Sequence, residues 1–119
     1  MLINDFYTCR DIVQGDTDFS CLIVFNANHG IFGGHFPEQP IVPGVCMMEI
    51  VKELLQQQLS KPLMLKQAGN VKFLGLITPQ ITPVININWS ETAEGYTVKA
   101  SFKSETSVLF KIDGKYVAA

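Results

Sequence analysis

One segment of this chain, residues 45–59, constrains the fold more than any other. It contains no Gly or Pro, most of its residues are good helix formers, and the preceding Pro43-Gly44 pair is typical of a helix start. Its first two turns are apolar on every side except at Glu49. A helix that is apolar all round is expected to be buried, so the rest of the chain must cover it.

The residues ahead of this helix predict a loop, because Gly and Pro recur too often for a helix or a central strand: Gly33, Gly34, Pro37, Pro40 and Pro43. His35 lies in this loop, close in sequence to the helix that carries Glu49. A histidine, a buried acid and the N–H groups of a helix start together supply a base, an acid and oriented donors for acyl chemistry. The alternative is that Glu49 faces a polar gap or a partner subunit and only holds structure.

Alternating apolar residues predict strands on both sides of the helix. We expect them within residues 2–13, 19–25, 64–77, 84–89, 96–102 and 107–112, with a break at Gly69-Asn70 and a tight turn at Asp113-Gly114. Ile85, Ile87 and Trp89 should share the buried side of their strand. One long helix with mostly antiparallel strands gives an α+β domain spanning residues 1–119, with the sheet wrapped around the helix.

Composition excludes several other classes of protein. A hydrophobic content of 47% with 17% charged residues is typical of a compact globule. A net charge of −2 with no basic stripe argues against nucleic-acid binding. The odd number of cysteines, 3, and the spacing of the two histidines match neither a disulfide framework nor a metal site. Without a signal sequence or an apolar run of membrane-spanning length, we expect a cytoplasmic protein with no membrane insertion.

The loop and the helix start resemble the active-site segment of the beta-hydroxyacyl-acyl-carrier-protein dehydratases of fatty-acid synthesis, which have the hot-dog fold. The matching residues are Gly34-His35-Phe36-Pro37, Pro40-Ile41, Pro43-Gly44-Val45 and Glu49, with Asn28 also falling where the family commonly has Asn. The combination is far more specific than any of its parts. The close relative that also isomerises the double bond is expected to carry Asp at the acid position, so Glu49 favours the dehydratase branch.

The resemblance implies an antiparallel sheet wrapped around one long central helix. It implies a homodimer, or a higher oligomer built from it, in which each site takes its His from one subunit and its acid from the other. The implied reaction converts a 3-hydroxyacyl thioester, linked to an acyl carrier protein or to coenzyme A, into the trans-2-enoyl thioester. That reaction would serve fatty-acid synthesis or a related polyene or polyketide pathway.

In this reaction His35 is the expected general base on the C2 proton, and Glu49 the acid that helps the C3 hydroxyl leave. The backbone N–H groups of Gly44 and Val45 are expected to stabilise the thioester oxygen. No metal or organic cofactor is needed. The acyl chain is expected to lie along apolar residues, with the candidates Phe32, Phe36, Ile41 and Phe73.

Two departures from the family pattern qualify the resemblance. Where the family usually has Gln one turn after the acid, this chain has Glu53, a second carboxylate on the same helix face that is expected to raise the pKa of one or both groups. Around Lys72-Phe73 the two basic residues that often follow in the family are absent. The scattered lysines therefore form either a basic rim for an acidic carrier protein or an ordinary solvated face.

Two other functions remain open from the sequence. A hot-dog thioesterase would use a carboxylate to activate water against the same thioester carbonyl, and it would release a free thiol. A non-catalytic acyl-binding module would bind acyl thioesters without turnover. The spacing of His35 and Glu49 argues against the thioesterase, whereas the missing basic residues after Phe73 give mild support to the binding module.

Overall fold

A computed structural model describes residues 1–33 and 40–119 of the chain. These residues contain a short helix α1 (Gly30–Gly33) and a long helix α2 (Gly44–Leu59). They also contain six strands: β1 (Tyr7–Gln14), β2 (Asp18–Phe25), β3 (Leu63–Phe73), β4 (Val84–Glu91), β5 (Tyr96–Lys103) and β6 (Val108–Ala118). Helix α2 begins one residue before the predicted segment and ends where predicted. No helix within the described ranges is long and apolar enough to cross a membrane.

All six strands form one antiparallel sheet in the order β1-β2-β4-β5-β6-β3. Strands β1 and β3 are the two edges, and β3 follows α2 directly along the chain. The predicted α+β arrangement, a sheet around one long helix, is confirmed.

The core lies between α2 and one face of the sheet. Four apolar residues of α2 are almost completely buried: Ile50, Val51, Leu54 and Leu55. Strands β2 and β5 bury every second residue. Ile85, Ile87 and Trp89 all point into this core, as predicted. Removal of this much apolar surface from water is the main force that holds the helix in the sheet.

The predicted turn at Asp113-Gly114 is wrong, because β6 runs straight through it. Asp113 pairs with Asn70 of β3 and Lys99 of β5, and Gly114 pairs with Ala68 and Val98. A Cβ on Gly114 would lie 2.8 Å from Leu65 Cδ1 and 3.2 Å from the Gln67 backbone oxygen. The glycine therefore serves close packing inside the sheet instead of a change of direction.

The boundaries of two other strands also differ from the prediction. Strand β3 continues past Gly69-Asn70, where its register against β6 shifts between Ala68 and Asn70, so a bulge replaces the predicted break. Strand β3 ends at Phe73, before the predicted end at Ile77. Strand β1 begins at Tyr7, because the residues before it close a turn in which Phe6 N–H donates to the Leu2 carbonyl at 2.7 Å.

Candidate active site

The start of α2 is shaped by Gly44 and Phe73. Pro43 precedes the helix with extended backbone angles, φ −63° and ψ 147°, and its side chain offers no cap. A Cβ on Gly44 would overlap the Phe73 ring at Cε1 and lie 2.7 Å from Cζ. Phe73 is 58% exposed, and its inner side also packs on Phe110 with ring centroids 5.1 Å apart. Only glycine allows this aromatic ring to approach the helix start so closely.

The first two N–H groups of α2 have no acceptor within the described part of the chain. The first backbone hydrogen bonds of the helix are donated by the N–H groups of Cys46 and Met47 to the Pro43 carbonyl, at 3.0 and 3.2 Å. The N–H groups of Gly44 and Val45 precede these and have no acceptor among residues 1–33 and 40–119. Together with the helix dipole, they form a region of positive potential that suits an anionic oxygen.

Glu49 lies one turn further along and lines a groove between α2 and the sheet. The groove has a volume of about 240 Å³ and is lined by Val45, Met48, Glu49, Lys52, Met64, Leu65 and Tyr116. The Glu49 side chain is 37% exposed, so in this single chain it is less buried than the apolar sequence around it predicts. Val45, on the same face, is 74% exposed. The first two turns of α2 thus keep an open apolar face next to the acid.

The surroundings of Glu49 favour its protonated form. Burial is the main cause that raises its pKa, followed by the neighbouring carboxyl group of Glu53. Lys52 acts in the opposite direction, with its Nζ 3.5 Å from Glu49 Oε1, but the net direction is upward. A raised pKa is the direction that suits a carboxyl group to act as a general acid.

Glu53 is almost completely buried, 1% exposed, and it accepts three hydrogen bonds. Leu2 N–H donates to Oε2 at 2.7 Å, Ile3 N–H donates to Oε1 at 2.9 Å, and the Tyr7 hydroxyl donates to Oε1 at 3.2 Å. Burial, followed by the charge of Glu53, raises the pKa of Tyr7, so this hydroxyl stays a donor. The predicted second carboxylate on the face of Glu49 thus connects α2 to the first residues of the chain.

Tyr116 is a site residue that the sequence analysis missed. It is 2% exposed, lines the groove of Glu49, and has its pKa raised to about 12 by burial and by the charge of Glu49. Reading Asp113-Gly114 as a turn separated Tyr116 from the sheet. The signal that could have found it is the alternation of Phe110, Ile112 and Tyr116 on one side of a longer strand.

The remaining predicted site residues have different positions. Ile41 is half-buried beside Val42, whose N–H donates to the Ile77 carbonyl at 2.7 Å and fixes the approach to α2. Phe32 is buried and stacks on Phe6 with centroids 5.1 Å apart, away from the residues that line the groove. His35 and Phe36 lie outside the described residues. The structure thus brings Gly44, Val45, Glu49 and Phe73 to one end of α2, and it does not bring Phe32 there.

The second histidine has a structural role. His29 Nε2 lies 3.0 Å from Asp5 Oδ2, and its Nδ1 accepts the Ile31 N–H at 3.1 Å. Its ring also packs edge-on against Phe6. His29 lies between β2 and α1, and both of its ring nitrogens are engaged by nearby groups.

Comparison with solved structures gives the fold family. The chain is similar to the dehydratase heterocomplex ApeI:P from Xenorhabdus doucetiae, with a TM-score of 0.78 and 22% identity over 93% of this chain and 97% of that one. It is also similar to an uncharacterised protein from Erwinia carotovora subsp. atroseptica, with a TM-score of 0.72 and 20% identity, covering 93% of each chain. A putative thioesterase from Shewanella oneidensis matches with a TM-score of 0.55 and 16% identity, over 91% of this chain and 82% of that one. These likenesses establish the hot-dog fold.

Comparison with sequences is more specific. No curated protein matches the chain significantly. A family model described as ApeI-like, ApeI dehydratase, matches residues 11–111. That range includes His35, all of α2 and most of the sheet. Since the match covers most of the chain, this protein belongs to the ApeI-like family of dehydratases.

Proposed function

We propose that this protein dehydrates a 3-hydroxyacyl thioester to the trans-2-enoyl thioester. The observation that carries the proposal is the position of Glu49, an acid with a raised pKa, beside the start of α2, whose first two N–H groups have no acceptor among the described residues. Membership of the ApeI-like family supports a dehydratase role. The sequence motif that contains both His35 and Glu49 supports His35 as the base that acts with this acid.

The proposed reaction assigns each group one task. His35 takes the C2 proton, and such a base typically accelerates a reaction about 10²–10⁴-fold. The electron pair from C2 forms the C2=C3 double bond as the C3–O bond breaks. The Glu49 carboxyl gives its proton to the departing hydroxyl, directly or through a held water, so that water leaves. The N–H groups of Gly44 and Val45 donate to the thioester oxygen while it carries negative charge.

The acyl group is proposed to lie against Phe73 and Ile41, with Phe36 and Phe32 as further candidates. Phe73 contacts Gly44 and keeps an exposed side, so an apolar chain bound there would reach the helix start. The thioester is proposed to be linked to an acyl carrier protein or to coenzyme A. Lys72 and Lys111 face each other across β3 and β6. Opposed like charges of this kind would suit an acidic carrier at the same end of the sheet.

The test replaces each proposed catalytic residue and compares it with a matched control. His35→Ala and Glu49→Gln should each lower kcat for dehydration of a 3-hydroxybutyryl thioester by about 10²-fold or more. His29→Ala and Glu105→Gln change the same residue types away from the groove and should keep activity within about threefold. Full activity in His35→Ala or Glu49→Gln would reject the assignment. Release of free thiol in place of an enoyl product would indicate a thioesterase.

We also propose that the working unit is a homodimer with each site shared between two chains. The exposed apolar side chains of Val45 and Met64 line the groove of Glu49, and the exposed Phe73 lies against the start of α2. Strand β3 lies at the edge of the sheet with one side free of strand neighbours in the described part of the chain. A second copy of the chain would cover this edge and these side chains. The related dehydratase from Xenorhabdus doucetiae was solved as a heterocomplex, so a different hot-dog chain is the alternative partner.

Mixing two inactive variants tests the shared site. In a mixed dimer of one His35→Ala chain and one Glu49→Gln chain, one of the two shared sites carries both substitutions and the other carries none. Unfolding and refolding equal amounts together should therefore restore about a quarter of wild-type activity. Sites built within single chains would give no restoration. A wild-type protein that sediments as a monomer while fully active would contradict the dimer itself.

A further inference from the structure

A cavity at one end of the sheet has no part in the proposed reaction. It lies where the turn between β4 and β5 meets β6 and the first part of β3, and its volume is about 300 Å³. The groove of Glu49 is smaller, at about 240 Å³. The cavity is lined by two ammonium groups, two threonine hydroxyls and one carboxylate: Lys66, Lys115, Thr92, Thr97 and Glu94. A concave surface with a few convergent polar groups is typical of a ligand site.

A bulge in β3 directs Lys66 to this cavity. Leu65 pairs with Tyr116 of β6, and Gln67 pairs with Lys115, so Lys66 is an extra residue without a partner in the ladder. Bulges redirect side chains in this way and are common beside functional sites. The position of Lys66 in the cavity therefore follows from an irregularity of the strand.

The other donors of the cavity are placed by strand register and by the turn. Lys115 of β6 pairs directly with Thr97 of β5, and directly paired residues of antiparallel strands share one face. In the turn, Gly95 N–H donates to Thr92 Oγ1 at 3.2 Å, which leaves the proton of this hydroxyl free to donate. Ammonium and hydroxyl groups are the side-chain donors that suit a phosphate.

Glu94 is the acid of the cavity, and it competes for Lys66. Its Oε2 lies 3.4 Å from Lys66 Nζ, and the two side chains are 80% and 57% exposed. An exposed ion pair of this kind contributes little to stability, because water and salt screen it. A phosphate carries more negative charge than one carboxylate and can replace Glu94 at Lys66.

The cavity borders the groove of Glu49. Tyr116 lines both, and Leu65 of the groove is followed directly by Lys66 of the cavity. Phe73, against which the acyl group is proposed to lie, is at the opposite end of β3 from Lys66. A thioester bound at the start of α2 can therefore extend its acyl chain toward one end of β3 and its thiol-derived handle toward the other.

We propose that this cavity binds the phosphate of the pantetheine handle of the thioester substrate, through Lys66, Lys115, Thr92 and Thr97. The inference rests on the proposed function, which makes the ligand of the groove a thioester. Coenzyme A and the prosthetic group of an acyl carrier protein both carry a phosphate on pantetheine, and coenzyme A adds phosphates on adenosine. Strands β5 and β6 lie inside the sheet, so the site is compatible with a second chain along β3.

Amide signals of residues 92–97 in nitrogen-15 NMR spectra test binding without any reaction. Addition of 4′-phosphopantetheine should shift these signals to saturation, whereas pantetheine without the phosphate should not. Lys66→Gln combined with Lys115→Gln should raise the Kd at least about tenfold, because each ammonium group makes a charge-assisted contact. The absence of a saturable response to 4′-phosphopantetheine would overturn the proposal. Adenosine 3′,5′-bisphosphate separates the two sources: saturation by it as well indicates coenzyme A, and no response indicates the phosphate that both handles share.

Two further variants control for general attraction between charges. Lys99→Gln combined with Lys103→Gln removes two exposed lysines of β5 that do not line the cavity, and the Kd should stay within about twofold. A rise as large as that of the cavity variant would mean that the protein has no specific phosphate site. Glu94→Gln frees Lys66 from its ion pair, so it should lower the Kd by about two- to fivefold. An unchanged or higher Kd would exclude Lys66 from the site.

Kinetics test whether the cavity serves the substrate of the groove. The KM of a 3-hydroxybutyryl thioester should be at least about tenfold lower with coenzyme A than with pantetheine. Lys66→Gln combined with Lys115→Gln should raise the KM of the coenzyme A thioester toward that of the pantetheine thioester, with a smaller change in kcat. Equal KM values for the two thioesters in the wild type would overturn the role in substrate binding. If neither thioester is dehydrated, the proposed function fails, whereas the NMR titration still decides whether the cavity binds the phosphate.

Discussion

Replacing Glu53 by Leu should destabilise the protein strongly, although the substitution adds apolar volume to a buried position. The Leu side chain cannot accept the three hydrogen bonds that reach Glu53 from Leu2, Ile3 and Tyr7. Tyr7 is 1% exposed, so its hydroxyl would be left buried without an acceptor. The N-terminal turn, residues 2–7, would lose its hydrogen bonds to α2.

The magnitude follows from these three donors. The buried hydroxyl of Tyr7, left without an acceptor, costs about 2 kcal/mol. The N–H groups of Leu2 and Ile3 are only partly buried, so water can replace the lost acceptor in part, and each costs only about 1 kcal/mol. The buried Leu side chain is apolar and replaces a buried acidic group, and this change offsets about 1 kcal/mol of the loss. We therefore expect the free energy of unfolding to fall by about 3 kcal/mol, a large share of the roughly 5–15 kcal/mol that is typical of a domain.

Urea unfolding followed by Trp89 fluorescence measures this change, since the chain has 1 Trp and it lies in the core. With a slope of about 1–3 kcal/mol per molar urea, the midpoint should fall by about 1 M or more. Glu49→Leu is the matched control, because Glu49 is partly exposed and its pair with Lys52 is expected to contribute no more than about 1 kcal/mol. Both variants must be compared at one protein concentration, because association would add to stability. If Glu53→Leu unfolds within about 1 kcal/mol of the wild type, the hydrogen bonds of Glu53 do not hold the N-terminal turn.

Three further changes test other parts of the structure. Gly95→Ala should lower the stability of the protein in thermal unfolding by about 1–3 kcal/mol, because the added Cβ would overlap the backbone oxygen of Tyr116. An unchanged melting temperature would contradict this packing. The pKa of Glu49 is raised in the folded state, so the wild type should lose stability as the pH rises from the ordinary pKa of a glutamate to the raised pKa of Glu49. Glu49→Gln lacks this ionisation and should therefore gain stability relative to the wild type over the same interval. Curves of stability against pH that run parallel for the two proteins would contradict this. Gly44→Ala should keep the melting temperature within a few degrees but raise KM, because the displaced group is the Phe73 ring, which is 58% exposed. An unchanged KM would separate Phe73 from substrate binding.

The helix and most strands could be predicted because their signals are local. Residues 45–59 lack Gly and Pro, and Pro43-Gly44 marks their start, so α2 follows from propensity alone. The strand containing Ile85, Ile87 and Trp89 shows the alternation of a half-buried strand. The turn signal of Asp113-Gly114 misled the prediction, because a glycine such as Gly114 also suits a place where a neighbouring strand approaches closely.

The candidate site could be predicted in part. Glu49 and the start of α2 stand out as a lone acid and a Pro-Gly pair beside an apolar helix, and the structure places them in one region. The spacing of Glu53 also showed that it shares a face with Glu49. Its partners could not be found in this way, because backbone N–H groups have no sequence signal and Leu2 lies 51 residues away. His35 remains a prediction from the motif.

The position of β3 at the edge of the described sheet has a practical consequence for anyone who prepares this protein. Eleven residues of this strand lie at the border of the sheet, and the exposed side chains of Met64 and Phe73 lie at its two ends. Long uncovered edges with apolar side chains attract other chains and promote precipitation. We therefore expect recombinant yield and shelf life to depend on whatever covers β3, and co-expression with the correct partner to improve both more than any change of buffer.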